Sequence, residues 1–123
     1  MSERPLITVV DDDAALLDAI RSLLRSVGLR VAVFASAEEF LHSGQLQATA
    51  CLILDVRMPR MSGLELQRQL AMAPCPVPII FITAHGDDET RARALRAGAV
   101  AFLDKPFSDE ALLQAVQAAL PAS

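Results

Sequence analysis

The chain has 123 residues, a formal net charge of -4 and 53% hydrophobic residues. This length suits one domain, and so large an apolar fraction supports a buried core and excludes a disordered chain. We therefore expect a single domain over residues 1–123, with no second domain in this chain. The negative charge offers no general attraction to the phosphates of nucleic acid, so direct nucleic-acid binding by this segment is not expected.

The sequence also carries signals of cellular location. No apolar run approaches the roughly 18 residues that a membrane span needs, and the N-terminus lacks the apolar core of a signal peptide. We therefore predict a cytoplasmic protein with no membrane contact. Cys51 lies within an apolar run and Cys75 stands between prolines, and we interpret both as reduced thiols rather than a disulfide.

The chain begins with a β-rich run, Leu6 to Val10, followed by three aspartates. Asp13, the last of them, is predicted to cap the first helix, which should end at Gly28 in a left-handed conformation. The apolar residues at helical spacing, which we expect to face the core, are Leu16, Ile20, Leu23 and Val27.

A second strand is predicted from Leu29 to Phe34, near an edge of the sheet. Ser36, with Glu39 three positions later, indicates the capped start of a short second helix. The apolar run 51–54 then leads into Asp55. A continuous apolar run of this kind is typical of a strand buried on both faces of a parallel sheet.

The second half of the chain repeats the pattern. Ser62 and Glu65 indicate a capped third helix, and residues 79–83 a fourth strand. The fourth helix, about 88–97, is rich in alanine and arginine, with Leu95 as its one large apolar residue. So weak an apolar stripe predicts a loosely held, movable helix.

The last predicted elements are a short fifth strand, 99–103, and a fifth helix that starts after Ser108 and ends at Pro121. Strand and helix thus alternate five times, which predicts an α/β fold with right-handed crossovers. We expect a doubly wound, flavodoxin-like, five-stranded parallel sheet in the order 2-1-3-4-5, with five helices. In such folds ligands bind at the carboxyl edge of the sheet.

Polar residues of a particular kind stand at the ends of four of these strands. They are Asp11 and Asp12 after the first strand, Asp55 after the third, Thr83 after the fourth and Lys105 after the fifth. Each is ordinary by itself, since a run of aspartates often only caps a helix. Their coincidence at four strand ends predicts one site on one rim.

This set of residues suggests a metal and a reaction. Crowded carboxylates repel one another unless a cation joins them, and an oxygen-only set favours a hard ion, for which magnesium fits best. Asp12, Asp55 and a backbone carbonyl at Arg57 are the predicted ligands, with Asp11 binding through water and orienting Lys105. The candidate catalytic residues are Asp55, Lys105 and Thr83.

In that chemistry the Asp55 carboxylate is the nucleophile and becomes an aspartyl phosphate. The Lys105 ammonium is a point charge for one phosphoryl oxygen, and the Thr83 hydroxyl serves another. A cis peptide between Lys105 and Pro106 is a further expectation, because that bond would fix where the ammonium points.

The chain closely resembles the receiver domain of two-component response regulators over nearly its whole length. Four segments carry the resemblance: Val9 to Asp13, Leu54 to Pro59 with Gly63, Thr83-Ala84, and Lys105-Pro106-Phe107. The resemblance implies magnesium-dependent transfer of a phosphoryl group from a sensor histidine kinase to Asp55. It describes a regulatory phosphoacceptor that promotes its own phosphorylation and dephosphorylation, not an enzyme with a separate substrate.

The resemblance also implies a switch, in which Thr83 follows the phosphate and Phe102 on the fifth strand turns inward. The surface of helix 4, strand 5 and helix 5 would then change, favouring a homodimer on phosphorylation. The segments 85–87 and 97–99 resemble the FixJ-like subgroup, whose members usually carry a C-terminal helix-turn-helix. Control of transcription is the expected output, through dimerisation or a DNA-binding domain that is missing here.

Three alternatives remain open. A haloacid-dehalogenase-like phosphatase also uses an aspartate nucleophile, but it needs an acid two residues later, where this chain has Arg57, and a cap domain. A flavodoxin-type flavin binder needs a loop rich in Ser, Thr and Gly where this chain has three aspartates. A receiver-like interaction module that is never phosphorylated is disfavoured, but not excluded, by the intact set of five residues.

Overall fold

The computed structural model describes residues 4–72, 76–84 and 86–120. The strands are β1 (Leu6–Val10), β2 (Arg30–Phe34), β3 (Thr49–Asp55), β4 (Ile79–Thr83) and β5 (Ala101–Asp104). The helices are α1 (Ala14–Ser26), α2 (Ala37–Ser43), α3 (Gly63–Leu70), α4 (Asp88–Arg96) and α5 (Asp109–Ala119). The predictions about Cys75 and Pro121, and the first residue of the segment 85–87, lie outside the described residues.

The strands form one parallel sheet in the order β2-β1-β3-β4-β5, which confirms the predicted fold. The central strands β1, β3 and β4 are buried almost throughout, whereas β2 and β5 are half-buried edges. Helices on both faces bury a central strand, so its sequence is continuously apolar rather than alternating.

Two apolar cores lie on the two faces of the sheet. On one face α1 and α5 contribute the buried Leu24 and Leu112. On the other, α2 and α3 contribute Phe40 and Leu66, and α4 contributes Ala94. Burying a side chain as large as leucine contributes about 1.5–3 kcal/mol, so α4 is held far less strongly than its neighbours.

The predicted helix caps are present. The Asp13 carboxylate accepts hydrogen bonds from the first turn of α1. Ser36 Oγ accepts from the Glu39 N–H at 3.1 Å, at the start of α2. At α3 the bonds are reciprocal, because Ser62 Oγ accepts from the Glu65 N–H while the Glu65 carboxylate accepts from the Ser62 N–H. These caps satisfy donors that a helix start leaves unpaired.

The predicted apolar stripe of α1 is confirmed in part, because Ile20 is buried and Leu16 and Leu23 pack, partly buried, against the same core. The buried residues are Leu17, Ile20 and Leu24, whereas Val27 is 53% exposed. The helix ends at Ser26, so Val27 is a cap residue and not part of the buried face. Gly28 follows with φ of 87°, the predicted left-handed conformation.

Two strands start two residues away from the predicted position. β3 begins at Thr49, two residues early, where the buried Thr49 and Thr8 hydroxyls are 2.7 Å apart and hydrogen-bonded. β5 begins at Ala101, two residues late, because the Ala99 N–H still closes the end of α4 by donating to the Ala94 carbonyl. No helix in the described ranges has the length and apolar content needed to cross a bilayer.

Candidate functional site

Three carboxylates converge at the carboxyl edge of the sheet. Carboxylate oxygens of Asp11, Asp12 and Asp55 lie within 4.8 Å of one another. Asp11 and Asp12 directly follow β1, and Asp55 ends β3, the strand paired with β1. Parallel pairing brings both strand ends to one edge, which is the physical reason that residues 43 or more positions apart meet here.

Lys105 joins this acidic cluster from the far side of β4. Its ammonium donates to Asp11 Oδ2 at 2.8 Å and lies 3.6 Å from Asp55 Oδ2. The Lys105 backbone N–H donates to the Thr83 carbonyl at 2.7 Å, which fixes the end of β5 against the end of β4. The Lys105–Pro106 peptide bond is cis, as expected.

Backbone donors hold the second oxygen of each buried carboxylate. The Asp13 N–H donates to Asp11 Oδ1 at 2.9 Å, and the Arg57 N–H donates to Asp55 Oδ1 at 3.2 Å. The Oδ2 atoms are therefore the ones that face Lys105. Such bonds orient the carboxylates before any ligand arrives, so less ordering is needed on binding.

The Asp55 carboxyl is electrostatically strained. Burial, followed by repulsion from Asp11, raises its pKa from 3.8 to about 6, although Lys105 and the Arg57 N–H act in the opposite direction. For Lys105, burial lowers the pKa, but the hydrogen bond and the charge attraction of Asp11 outweigh it and leave the pKa above its usual value. The predicted rise in one carboxylate pKa is thus present.

These residues suit a divalent cation. Three carboxylates and one ammonium leave two negative charges uncompensated when all are ionised, and the donors are hard oxygens, which Mg²⁺ prefers. Asp12 is exposed, so an ion bound there keeps access to water. The donor set therefore fits the magnesium site expected from the sequence.

The loop after Asp55 passes very close to the start of α3. The Gly63 N–H donates to the Val56 carbonyl at 2.9 Å, and a Cβ at position 63 would overlap the Asp55 carbonyl oxygen. Only a residue without a side chain permits this approach. The loop that carries Arg57 is thereby closed tightly against the end of β3.

Thr83 and Phe102 pack around Gly86 on the other side of the site. Thr83 is buried at the end of β4. A Cβ at position 86 would stand 2.9 Å from Thr83 Cγ2 and 2.8 Å from Phe102 Cε1, so the two side chains border the same small space. Phe102 is 8% exposed, and its ring centroid lies 6.2 Å from that of Phe81.

Arg91 on α4 is a neighbour of this site that the sequence reasoning missed. Its guanidinium lies 4.9 Å from the centroid of the Phe102 ring and donates to Asp104 Oδ2 at 2.8 Å. The signal available in the sequence was Asp104, a carboxylate at the end of an edge strand beside an arginine-rich helix.

The structure thus brings Asp11, Asp12, Asp55 and Lys105 into one cluster and joins Thr83 to it through the backbone. Phe102 lies one strand further out and shares a boundary with Thr83. For Arg57 the structure adds a role for the N–H, while its carbonyl as a metal ligand stays a prediction.

Comparison with known proteins identifies the family. Residues 7–117 match the family model of the response regulator receiver domain. The response regulator protein TodT of Pseudomonas putida is 53% identical over 121 residues, covering 98% of this chain and 53% of TodT. The transcriptional regulatory protein FixJ of Bradyrhizobium diazoefficiens is 38% identical, covering 98% of this chain and 58% of FixJ.

The same relationship is found among solved structures. A low-resolution structure of the response regulator StyR superposes with a TM-score of 0.88 at 47% identity, over 96% of this chain and 60% of the StyR chain. The chain spans about half the length of the curated relatives that it matches. With five parallel strands in the matching order, this chain belongs to the response regulator receiver domain family.

Proposed function

We propose that Asp55 accepts a phosphoryl group from a phosphohistidine of a sensor histidine kinase, in a magnesium-dependent reaction. The observation that carries this proposal is the position of Asp55 Oδ2, which belongs to a buried carboxylate and lies 3.6 Å from the Lys105 ammonium. Family membership supports it, because two-component receivers are the partners of such kinases. The sequence predicts a cytoplasmic protein, and in the cytoplasm it would meet the kinase domain.

The bond changes assign a role to each residue. Asp55 Oδ2 attacks phosphorus as the bond between phosphorus and the histidine nitrogen breaks, and the product is an acyl phosphate. Lys105, already oriented by Asp11, compensates the charge of one phosphoryl oxygen. The Thr83 hydroxyl is the donor that we assign to another oxygen.

The metal site follows from the same residues. Asp11, Asp12 and Asp55, with the Arg57 backbone carbonyl, would hold Mg²⁺, with Asp11 acting through water. When bound, the ion neutralises charge on the transferring phosphoryl group. Asp11 would then have two roles: it would help to hold the metal, and its Oδ2 accepts a hydrogen bond from Lys105.

We infer that phosphorylation is read out through Thr83 and Phe102. Movement of Thr83 toward the phosphoryl group would open space next to Phe102, whose ring is already largely buried and would change partners rather than exposure. The contact between the Arg91 guanidinium and the Phe102 ring would then be lost, and α4 would shift. This couples a local charge to a two-state surface formed by α4, β5 and α5.

The output that we propose is control of transcription. A homodimer formed through the α4–β5–α5 surface, or a DNA-binding domain in a longer protein, would deliver it. Charges on that surface support pairing, but Arg91 already bonds to Asp104 within the chain. Arg93 and Arg96 are therefore the better candidates to meet Asp109 and Glu110 of a second copy. Residues 1–123 we regard as one receiver domain.

The alternatives weaken in the light of the site. At position 57 the chain offers a backbone N–H to Asp55 where a phosphatase of the haloacid-dehalogenase type would place a second acid. The three aspartates after β1 would repel a flavin phosphate. A receiver-like module that is never phosphorylated remains the second candidate. The observation that favours it is the Lys105–Asp11 hydrogen bond, because this bond can also stabilise the fold without any role in phosphoryl transfer.

Incubation with acetyl phosphate and Mg²⁺, read by intact mass spectrometry, tests the proposal. We expect one phosphoryl group on the protein, none on the Asp55→Asn variant and none after chelation of magnesium. Asp104→Asn is the matched control, because it removes a carboxylate outside the cluster and should leave uptake intact. Unmodified wild-type protein would favour the passive module, and steady hydrolysis of phosphate esters would favour the phosphatase.

A further inference from the structure

A second charged region lies against the edge strand β2, away from the acidic cluster. It is a groove of about 610 Å³ whose floor includes Val31 and Phe34 of β2. Four of its lining residues are basic: Arg4, Arg21, Arg25 and Arg30. None of the lining residues, all within the described ranges, is acidic. In a protein of net charge -4 this concentrates 4 of the 11 basic residues at one place.

Contacts within the chain involve at least two of these surface arginines. Arg21 forms an ion pair with Asp18 one turn away on α1, where both side chains are solvent-accessible. Arg30 Nη1 donates to the Arg4 carbonyl at 3.4 Å. Arg25 is exposed in the last turn of α1. Surface pairs of this kind contribute little free energy, so they exchange readily for an incoming carboxylate.

The backbone of β2 offers a second feature. Within the part of the chain that the structure describes, β2 is the terminal strand of the sheet and pairs with β1 alone. The Asp11 N–H donates to the Phe34 carbonyl, and in a parallel ladder alternate residues face the same neighbour. The N–H and C=O groups of Val31 and Val33 therefore face the open edge, where an added strand can pair with them.

We propose that the open edge of β2 binds an acidic, extended segment of a partner protein, which joins the sheet as a sixth strand. Such a segment uses all three features, because its backbone pairs with Val31 and Val33, its apolar side chains cover the floor and its carboxylates meet the arginines. A nucleotide or free phosphate would use the arginines alone. A second copy of this chain is disfavoured, since pairing β2 with β2 would set eight arginines against each other.

This site does not depend on the chemistry of Asp55. β2 is separated from β3, which carries Asp55, by β1. The binding proposed here is therefore expected in the unphosphorylated protein and with the Asp55→Asn variant alike.

The test uses a capped peptide that alternates glutamate with valine, titrated into the isotopically labelled protein and followed by amide chemical shifts and exchange. We expect shifts confined to β2 and the end of α1, slower exchange at Val31 and Val33, and binding that weakens with salt. The double variant Arg25→Glu/Arg30→Glu should weaken binding by ~10-fold. Arg93→Glu/Arg96→Glu, with an equal charge change on a groove between α3 and α4, should not.

Two further ligands decide between strand addition and simple charge attraction. A peptide of the same charge with proline at two valine positions lacks two of the backbone donors needed for strand pairing and should bind at least ~10-fold more weakly. Equal binding of the proline peptide, or binding of a single-stranded oligothymidylate in place of the acidic peptide, would overturn the proposal. If the double variant unfolds, Arg25→Glu alone serves, because that side chain is exposed.

Discussion

Helices α3 and α4 have similar lengths, eight and nine residues, and lie on the same face of the sheet, yet they are held very differently. α3 buries Gly63, Leu66, Gln67 and Leu70. α4, all of whose residues the structure describes, buries Ala94 alone, and its Leu95 is 44% exposed. The helix after β3, the strand that ends in Asp55, is thus fixed by packing, while the helix after Thr83 depends more on polar contacts.

The difference in packing between α3 and α4 indicates which part of the fold can change conformation. The cluster around Asp55 must keep its geometry, and a packed α3 holds the loop that follows β3. We expect α4 to move at a small cost in free energy, because it buries Ala94 alone and its described polar contacts include the Gln67–Ala94 hydrogen bond and those of Arg91. Elements that move are drawn from the least stable part of a fold. Four predictions test this contrast, from the largest expected effect to the smallest.

Truncation of one apolar side chain in each helix should separate them most clearly. Leu66→Ala removes a fully buried side chain and should lower the free energy of unfolding by about 3 kcal/mol. Leu95→Ala removes a partly exposed one and should cost less than about 1 kcal/mol. Urea denaturation of the two variants measures both. Similar costs would show that α4 is packed as firmly as α3.

Removal of the Asp55 charge should stabilise the protein. The folded-state pKa of about 6 exceeds the ordinary 3.8, so between these values the folded state holds more protons and stability falls as pH rises. Without magnesium, the free energy of unfolding of Asp55→Asn should therefore exceed that of the wild type by about 2 kcal/mol at pH 7. This difference in stability should disappear near pH 4. Thermal unfolding against pH measures it.

Magnesium provides the control for this electrostatic prediction. The ion should stabilise the wild type by binding the folded state and should narrow the gap to Asp55→Asn. A gap that does not change with pH would mean that the variant acts through packing rather than charge.

The hydrogen bond between the two helices should matter locally. Gln67 Nε2 donates to the Ala94 carbonyl at 3.0 Å in a buried position. Gln67→Leu keeps the size of the side chain but removes the donor, and should cost about 1 kcal/mol. Native-state amide exchange should accelerate in α4 more than in α3. The exposed Gln69 gives the matched control, and Gln69→Leu should leave α4 exchange unchanged.

The smallest effect on stability is expected at Arg91. Its ion pair with Asp104 is well exposed to solvent, so Arg91→Gln should cost less than about 1 kcal/mol. The change should nevertheless free the Phe102 ring, seen as a shifted and broadened fluorine signal in fluorophenylalanine-labelled protein. Arg93→Gln on the same helix should leave that signal alone. No change in either variant would remove Arg91 from the proposed switch.

Most of the fold and the convergence of Asp11, Asp55 and Lys105 were predictable, because parallel strands deliver their ends to one edge whatever the side chains do next. The identity of the most deeply buried leucines of α1 was not predictable. Leu16 and Leu17 are adjacent, as are Leu23 and Leu24, so helical periodicity fits two stripes about 100° apart. Packing against the sheet buries Leu17 and Leu24 more deeply, although Leu16 and Leu23 also contact the core, and no local signal in the sequence distinguishes the two pairs.

The contacts of Arg91 could not be predicted from the sequence for a related reason. They depend on how α4 is rotated about its axis, and a helix with one buried alanine carries little apolar pattern from which to read that rotation. The sequence showed that the helix was weakly amphipathic, which is correct, but not which of its arginines would reach β5.

At position 63 the structure has room for the hydrogen atom of glycine but not for a Cβ, which limits the residues that this position can accept. Because any side chain there would collide with main-chain atoms of Asp55, a larger residue would require displacement of the segment that carries Asp55. A saturation library of this codon, scored by signalling in cells, should return almost nothing but the parental residue. Neighbouring surface codons such as that of Arg60 should accept many replacements, with glycine foremost, since its φ of 67° suits that residue best.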